Sequence, residues 1–390
     1  MSLLSIEKKE LVTCLTELKS IIDSKASLPC LKWVLIDWKK GTFTAMTLSG
    51  HATSMTIKPK SVVGASTDPL VLTEDKSCVD LKTMLQAVKS TKQKYVNLYI
   101  EEGKALAVNM ESSVKLEDVS EYPVVPDPMK AKMRVSRKLE NAGDRLAKFA
   151  NYCTDTTDYR PQLEGVYVEL YDNGDTNLVA TNSYALAVEN YKMIDVQEKP
   201  LHEFIIPATA CKLAKGMGNA VMTKFELQNN MKQVAIMNKN KVITTYVIEG
   251  NFPNWRDITK SWAVPSQYVS MHAQSVVDVS KTCKGLQMSK TKWNKAPMVF
   301  HFTNKANSMS VTAKNDENGA HLTLGVALKA CELESEKFEV QFDSKLFERA
   351  MTLFAESEWV EMNGTKNNTV FFLREAGRTE LVAVMPMYMV

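Results

Sequence analysis

The segment Phe252-Pro253-Asn254-Trp255 ends the second third of this chain, and a similar segment ends each of the other two thirds. These are Tyr122-Pro123 and Met385-Pro386-Met387-Tyr388, so an aromatic or apolar residue precedes the proline each time. The three prolines lie about one third of the chain apart, a spacing typical of a small domain and too long for a solenoid unit. The repetition predicts three tandem domains, at 1–128, 129–258 and 259–390.

The composition is that of an ordinary globular protein, with 45% hydrophobic and 24% charged residues. The formal net charge is only +3, so any affinity for nucleic acid has to come from local clusters of basic residues. The seven cysteines form no Cys-x-x-Cys pair and are odd in number, which favours reduced thiols over disulfides or a zinc site. No signal-peptide core and no apolar stretch of about 18 residues is found, so we expect a cytoplasmic protein that does not enter a membrane.

Apolar residues at spacings of three and four predict several amphipathic helices. The first should run from Ser5, as its cap, to Ile22, the second from Asp80 to Lys89, and the third from Ser136 to Ala150. Further helices are predicted after Pro207, Gln274 and Asp343. That gives about two helices in each third.

Runs rich in β-branched and aromatic residues predict strands between these helices, for example Val166–Tyr171 and Val242–Val247. The turn Asp172-Asn173-Gly174-Asp175 predicts a hairpin, because Asn-Gly suits the tight turn between antiparallel strands. Linkers are expected near Pro123–Pro128 and Asp257–Pro265. The pattern predicts an α+β fold, with helices packed on antiparallel sheets in every third.

A search for catalytic motifs finds no phosphate-binding loop, no dinucleotide fingerprint and no nucleophile elbow. The five histidines are scattered without the spacing that metal ligands need. We therefore expect a binding protein without enzymatic activity, metal or cofactor.

Basic residues recur on the predicted helices of all three thirds, as in Lys138, Asn141, Arg145 and Lys148 at helical spacing. On one helix, lysines usually form a solvated surface, but their recurrence favours contact with the phosphates of double-stranded DNA, independent of base sequence. The candidate DNA-binding residues are Lys25, Lys89, Lys138, Arg145, Lys148, Lys212, Lys215, Lys281, Lys284 and Arg349.

Four segments resemble the bacterial-type β sliding clamp, the processivity subunit of the replicative DNA polymerase. Ser24–Leu31 is similar to the family's Arg-x-Thr-Leu-Pro-Ile-Leu, and Thr181–Ala187 to Thr-Asp-Gly-His-Arg-Leu-Ala. Glu249–Arg256 is close to Gly-Arg-Phe-Pro-Asp-Tyr-Arg, and Val384–Met387 matches Val-Met-Pro-Met. The four segments follow one another in the family's order along the whole chain.

The resemblance implies three clamp domains, each with two helices facing a central channel, and a head-to-tail homodimer that forms a six-domain ring around duplex DNA. Such a ring retains DNA by topology, so weak phosphate contacts suffice, and it holds a tethered polymerase at high effective concentration. The edge strand that contains Val114 and Leu116 is expected at the dimer interface.

The resemblance also implies a cleft that binds short peptides containing Gln, Leu and Phe from DNA polymerases and the clamp loader. Its walls in this chain would be Leu163, Thr181, Tyr184, Leu186, Pro253, Ile258, Leu346, Met385, Pro386 and Met387. Apolar and methionine-rich walls adapt to related peptides. The alternative is that Met385 and Met387 only complete the core.

This chain departs from the family at Asn182-Ser183-Tyr184-Ala185, where a charge and the permissive glycine are lost, so we expect an altered peptide preference. The departures are compatible with a divergent clamp or one encoded by a mobile element. A different class of function also fits the pattern, namely a structural or assembly protein of tandem β-rich domains whose basic helix faces are incidental.

Overall fold

The computed structural model of the chain describes residues 4–23, 25–48, 52–63, 75–101, 103–131, 133–154, 160–190, 199–227, 231–260, 267–286, 297–315, 319–364 and 370–387. Ser24 and Tyr388, which belong to two of the segments quoted above, lie outside these residues. The chain forms two compact units, Met1–Asp144 with Leu213–Val247, and Arg145–Lys212 with Ile248–Val390. We call them the first and the second unit.

The same order of elements, βαββββαβββ, occurs three times along the chain. The first repeat contains β1 (Leu4–Glu7), α1 (Lys8–Lys19), β2 (Trp33–Asp37), β3 (Thr42–Thr47), β4 (Thr53–Ile57), β5 (Lys76–Asp80), α2 (Leu81–Ser90), β6 (Tyr95–Glu101), β7 (Ala105–Val108) and β8 (Ser112–Glu117). The second contains β9 (Met133–Leu139), α3 (Ala142–Phe149), β10 (Gly165–Leu170), β11 (Thr176–Thr181), β12 (Ala185–Val188), β13 (His202–Pro207), α4 (Ala208–Leu213), β14 (Ala220–Glu226), β15 (Lys232–Met237) and β16 (Lys241–Tyr246). After the short helix α5 (Trp255–Thr259), the third contains β17 (Gln267–His272), α6 (Ala273–Leu286), β18 (Pro297–Thr303), β19 (Ser308–Lys314), β20 (His321–Leu333), β21 (Lys337–Asp343), α7 (Ser344–Ala350), β22 (Trp359–Gly364), β23 (Phe371–Arg374) and β24 (Leu381–Val384).

Strand pairing repeats in the same way. In the first repeat β2 pairs with β3 and β5, and β3 pairs with β4. In addition, β6 pairs with β1 and β7, and β7 pairs with β8. Every one of these pairs has its counterpart in the second repeat and in the third. The predicted α+β architecture of three tandem clamp-like domains is therefore confirmed.

Strand pairing also joins consecutive repeats. In the first unit, Thr53–Ile57 of β4 pairs with Lys241–Thr245 of β16. In the second unit, Ala185–Val188 of β12 pairs with Leu381–Val384 of β24. Each unit consequently contains one sheet of 12 strands.

The predicted helix at Ser5–Ile22 is wrong at its start, because Ser5 lies in a strand. Leu4 and Ile6 are buried while Ser5 and Glu7 are partly exposed, which is the alternation of a strand, and Ser5 pairs with Asn97 of β6. Helix α1 begins only at Lys8. Ser5 therefore does not cap it.

The predicted helix at Ser136–Ala150 is also wrong in its first half. Residues 133–139 form β9 and pair with β14. Asn141 has a positive φ of 47°, which is incompatible with a regular helix, so α3 begins only after it. Lys138 is thus on a strand and does not share a helical face with Arg145 and Lys148. The basic stripe proposed from helical spacing is not continuous.

Other local predictions are confirmed. The carboxylates of Asp80 and Asp343 accept hydrogen bonds from backbone N–H groups in the first turns of α2 and α7, as helix caps do. The hairpin at 172–175 joins β10 and β11. The linker at Pro123–Pro128 has no regular structure, whereas Asp257 belongs to α5, and residues 261–266 lie outside the described part of the chain.

All seven cysteines are buried and free, in agreement with the prediction of reduced thiols. Within the described ranges, no helix is both long and apolar enough to cross a bilayer.

Candidate functional site

A basic groove of about 1860 Å³ runs along α1 in the first unit. Two of the predicted DNA-binding residues, Lys138 on β9 and Lys215 after α4, line it. Six further basic residues were missed because they lie on turns, on a strand or at the start of α1. They are Lys9, Lys58, Lys60, Arg134, Lys239 and Lys241. Lysines flank Pro59 and Asn240 on both sides, and this repetition is the sequence signal that could have indicated four of the six.

The groove also contains four glutamates, and two of them, Glu17 and Glu10, accept hydrogen bonds within the first unit. The Nζ of Lys241 lies 3.0 Å from a carboxylate oxygen of Glu17, and it also donates to the backbone oxygen of Leu213 at 2.7 Å. The backbone N–H of Ser61 donates to the Glu10 carboxylate at 2.8 Å, and this bond lowers the pKa of Glu10. The groove is left with a surplus of exposed lysines, which favours an anionic ligand.

A second, smaller groove of about 460 Å³ lies between α1 and the end of α2. Lys9, Lys94 and the predicted residue Lys89 line it. The Nζ of Lys8 is committed to the fold, because it donates to the backbone oxygens of Lys89 and Thr91 at 3.0 and 2.6 Å. The two grooves flank α1, so its first turn presents positive charge on both sides.

The predicted DNA-binding residues of the second unit fall into two groups. Arg145 forms a two-point ion pair with Glu189 at 2.5 and 2.6 Å, and the Nζ of Lys284 lies 2.8 Å from Glu348. Arg349 is half-buried on α7. Exposed lysines, which suit phosphate contact better, are Lys148, Lys212 and Lys281. Lys25, in the first unit, is exposed in the turn after α1.

The predicted peptide cleft lies within the second unit, and strand pairing brings its main parts together. Thr181 and Leu186 pair across the β11–β12 hairpin, and Met385 follows β24, the neighbour of β12. The backbone N–H of Met385 donates to the backbone oxygen of Tyr184 at 2.9 Å. The side chains of Tyr184 and Met385 are 62% and 46% exposed, although both are large and apolar. These two residues form an apolar surface at the end of the β12–β24 junction.

The other predicted cleft residues lie on segments that adjoin this junction. Leu346 is half-buried on α7, which packs against β12 and β24. The N–H of Met387 donates to the backbone oxygen of Gln341 at 2.7 Å, which holds the segment of Pro386 after β24. Ile258 is exposed on α5 and Pro253 precedes that helix, while the side chain of Leu163 is buried.

Ser183 has a positive φ of 76°, at the position where the sequence comparison predicts loss of the family's glycine. This backbone region is unfavourable for residues other than glycine. The N–H of Ser183 donates to Thr181 Oγ1 at 3.1 Å, and Asn182 Oδ1 accepts from the N–H groups of Tyr184 and Ala185. The turn therefore keeps its conformation at the cost of backbone strain.

In the part of the chain that the structure describes, two strands are open at the positions where the repeats join elsewhere. By their place in the repeat, β8 corresponds to β16 and β24, and β20 corresponds to β4 and β12. Among the described residues, Ser112–Lys115 of β8 pairs only with β7, and His321–Val326 of β20 pairs only with β19. Leu116 pairs with Val79, so β8 is an edge strand only as far as Lys115.

On the edge strand β8, which is expected at the dimer interface, the side chain of Val114 is 3% exposed and faces the interior. The outward side of β8 carries Ser113 and Lys115 instead. The contribution of Val114 and Leu116 to an interface stays a prediction.

The sequence of residues 140–254 matches the family of the central domain of the DNA polymerase III beta subunit. A comparison with curated protein sequences found no match. Several solved structures are similar over the full length. The beta subunit of DNA polymerase from Streptococcus pyogenes has a TM-score of 0.78 at 15% identity, with 99% of this chain and 100% of that chain covered.

Two further structures give the same result. The DNA polymerase III subunit beta from Pseudomonas aeruginosa has a TM-score of 0.76 at 16% identity, with 99% of this chain and 100% of that chain covered. The DNA polymerase sliding clamp from Bacillus subtilis has a TM-score of 0.74 at 14% identity, with 100% and 99% covered. The chain therefore has the fold of bacterial β sliding clamps over its whole length, and the sequence of its residues 140–254 matches the family of their central domain.

Proposed function

We propose that this protein is a DNA sliding clamp, a cytoplasmic and non-catalytic homodimeric ring that encircles duplex DNA and tethers a replicative DNA polymerase. The observation that carries the proposal is the repeated strand junction. Consecutive repeats are joined by β4–β16 and β12–β24, and within the described ranges the equivalent strands β20 and β8 are each open on one side over part of their length. A second copy of the chain supplies the missing partner for both. The domain boundaries 1–128, 129–258 and 259–390 are part of this proposal.

The open strand segments are long enough for such a junction, and they have backbone groups that point outward. The N–H of Leu116 donates to Lys104, so by the alternation of an antiparallel ladder the backbone groups of Ser113 and Lys115 point away from β7. The N–H of Leu328 donates to Asn307, so those of Thr323 and Gly325 point away from β19. Pairing β8 of one copy with β20 of the other gives a head-to-tail contact, which closes after two copies.

Binding of DNA through phosphates is supported by the two basic grooves along α1 and by the exposed lysines of the second unit. Lysines are compact charges on flexible stems, so they contact phosphates without reading base sequence. Individually weak contacts are sufficient for a ring, because sideways escape from the duplex is blocked.

The apolar surface around Tyr184 and Met385, together with Ile258 on α5, is proposed as the cleft for peptides of polymerases and a clamp loader. A bound peptide would cover these exposed side chains and gain the hydrophobic free energy of that burial. Tethering then raises the local concentration of the polymerase at the DNA and makes synthesis processive.

Retention on DNA of different topology tests the proposal. The protein is loaded onto a nicked circular plasmid, separated from free protein by gel filtration, and the plasmid is then cut at a single site. We expect the protein to remain on the circle and to leave the linear form. Equal retention on both forms would contradict encirclement and favour an assembly protein that binds DNA incidentally.

A further inference from the structure

One face of β10 holds the segment that follows β16. Tyr167, Glu169 and Tyr171 alternate along the strand and its first following residue, so their side chains lie on the same side. The ring of Tyr167 stacks on Phe252 with centroids 4.7 Å apart and an interplanar angle of 4°. Glu169 and Tyr171 contact the residues at the start of α5. The segment Phe252–Arg256 is thus attached at both of its ends.

Glu169 is the centre of this attachment. Its side chain is 1% exposed, and its carboxylate accepts hydrogen bonds from two NH₂ groups of Arg256, at 2.8 and 3.3 Å. It also accepts from Trp255 Nε1 at 3.2 Å, Asn177 Nδ2 at 3.1 Å and the hydroxyl of Tyr171 at 3.0 Å. The guanidinium of Arg256 lies over the Trp255 ring, 4.2 Å from its centroid. The carboxylate is therefore both charge-paired and surrounded by donors.

A buried carboxylate of this kind is stable only while its partners stay in place. Burial alone would lower the pKa of Arg256. The hydrogen bonds to Glu169 and the negative charge of Glu169 outweigh burial, so the pKa of Arg256 is raised. Burial and the charge of Glu169 also raise the pKa of Tyr171, which remains a neutral donor. Moving Arg256 away would leave a buried charge uncompensated, so the network resists displacement of α5.

Helix α5 is short. It contains 5 residues, and no side chain caps its first turn. Trp255 belongs to a core cluster with Leu186 and Tyr171, so the helix connects the cleft with the interior. Pro253 lies between the two attached ends, and Ile258 is exposed one turn further.

We propose that Glu169 is a positioning residue for the partner cleft, which fixes Arg256 and thereby sets the placement of Pro253 and Ile258. The inference rests on the proposed function, because it assigns this wall to a peptide site. Glu169 does not touch the peptide, and it acts through α5.

The chain offers a matched control for the test. Glu189 is another largely buried carboxylate of the second unit with a two-point pair to an arginine, Arg145. Glu169→Gln and Glu189→Gln each remove one such charge with little change in shape. A merely structural role predicts that the two variants behave alike.

The probe is the synthetic pentapeptide acetyl-Gln-Leu-Ala-Leu-Phe-amide with a fluorescent label, and its affinity is measured by fluorescence anisotropy on the full-length protein. We expect Glu169→Gln to weaken binding by about 10-fold or more, and Glu189→Gln by less than about 2-fold. If Glu169→Gln fails to fold, Arg256→Lys serves as the second variant. It keeps the positive charge but loses the planar guanidinium that donates two hydrogen bonds to Glu169, so it should show the same loss of peptide affinity. Equal affinity losses in the Glu169 and Glu189 variants would overturn the proposal.

Amide hydrogen exchange separates this inference from the proposed function, because it needs no partner. Exchange across residues 253–259 should accelerate in Glu169→Gln and stay unchanged in Glu189→Gln. Unchanged exchange in Glu169→Gln would overturn the positioning role even if the wild-type protein binds the peptide. Accelerated exchange with a wild-type protein that does not bind the peptide would instead overturn the assignment of the cleft.

Discussion

The substitution Thr323→Pro on β20 is expected to open the proposed ring without damaging the fold of the chain. The N–H of Thr323 points away from β19, so the substitution removes no hydrogen bond to any residue that the structure describes. Proline is tolerated at such positions of an edge strand, but it removes a donor that a second strand would need. The perturbation is thus confined to the proposed contact between copies.

Its magnitude follows from the junctions inside the chain. The β4–β16 junction has five residue pairs and the β12–β24 junction has four, so we expect about four backbone hydrogen bonds where β8 meets β20. Each hydrogen bond contributes about 1 kcal/mol net, and proline removes at least one of them at each contact. The two contacts of a dimer then lose about 2 kcal/mol together, which raises the dissociation constant about 30-fold.

Sedimentation equilibrium over a range of protein concentrations measures this change. Thr323→Val is the control, because it keeps the N–H and suits a strand, and it should dimerise like the wild type. Circular dichroism should be the same for all three proteins. A dimer of unchanged affinity in Thr323→Pro would refute the placement of β20 at the interface.

Three further predictions concern the cleft and the grooves. Ser183→Gly should stabilise the protein by about 1 kcal/mol, since glycine adopts the positive φ of this turn without strain, and a lower urea midpoint would contradict this. Tyr184→Ala and Met385→Ala should each weaken binding of the labelled pentapeptide by about 5-fold to 30-fold, because apolar contact is lost. Leu201 is an apolar residue of comparable exposure outside the predicted cleft, so Leu201→Ala should leave the affinity unchanged. Similar effects of all three substitutions would argue against the site. Joint replacement of Lys58, Lys60 and Lys239 by alanine should make the slope of log DNA affinity against log salt concentration less steep, by the contribution of up to three phosphate contacts. Replacement of the exposed Lys104, which lies in neither groove, should leave it unchanged, and an unaltered slope in the triple variant would exclude this groove from DNA contact.

The features that were predictable from the sequence are those with a local cause. Asp80 and Asp343 cap helices because a carboxylate next to an apolar stripe satisfies free N–H groups, and both positions are readable from neighbouring residues. The hairpin at 172–175 is equally local, and Gly174 has the positive φ of 96° that its turn requires.

The wrong predictions arose where two periods fit the same residues. The sequence of Ser136–Leu139 predicts a continuation of the helix that follows, because its apolar and basic residues also fit a spacing of three. In the structure, pairing with β14 decides in favour of a strand, and this partner lies far away in the sequence.

The candidate site was predictable only in part, for the same reason. The cleft residues were found through a resemblance in short motifs, and the chain indeed brings Tyr184 next to Met385 by pairing β12 with β24. Lys58 and Lys239 lie in lysine-rich turns that are visible in the sequence, but their position in one groove follows from the tertiary structure. Glu169 gave no signal either, because its donor Arg256 is 87 residues away along the chain.

Covalent closure of the ring tests the central claim most directly. All seven native cysteines are buried, so cysteines introduced by Lys115→Cys and Thr323→Cys are the accessible sites for a short bismaleimide. After loading onto closed circular DNA and cross-linking, we predict a protein–DNA complex that survives denaturing detergent and disappears once the DNA is cut at a single site. Loss of the cross-linked protein from intact circles in detergent would contradict encirclement.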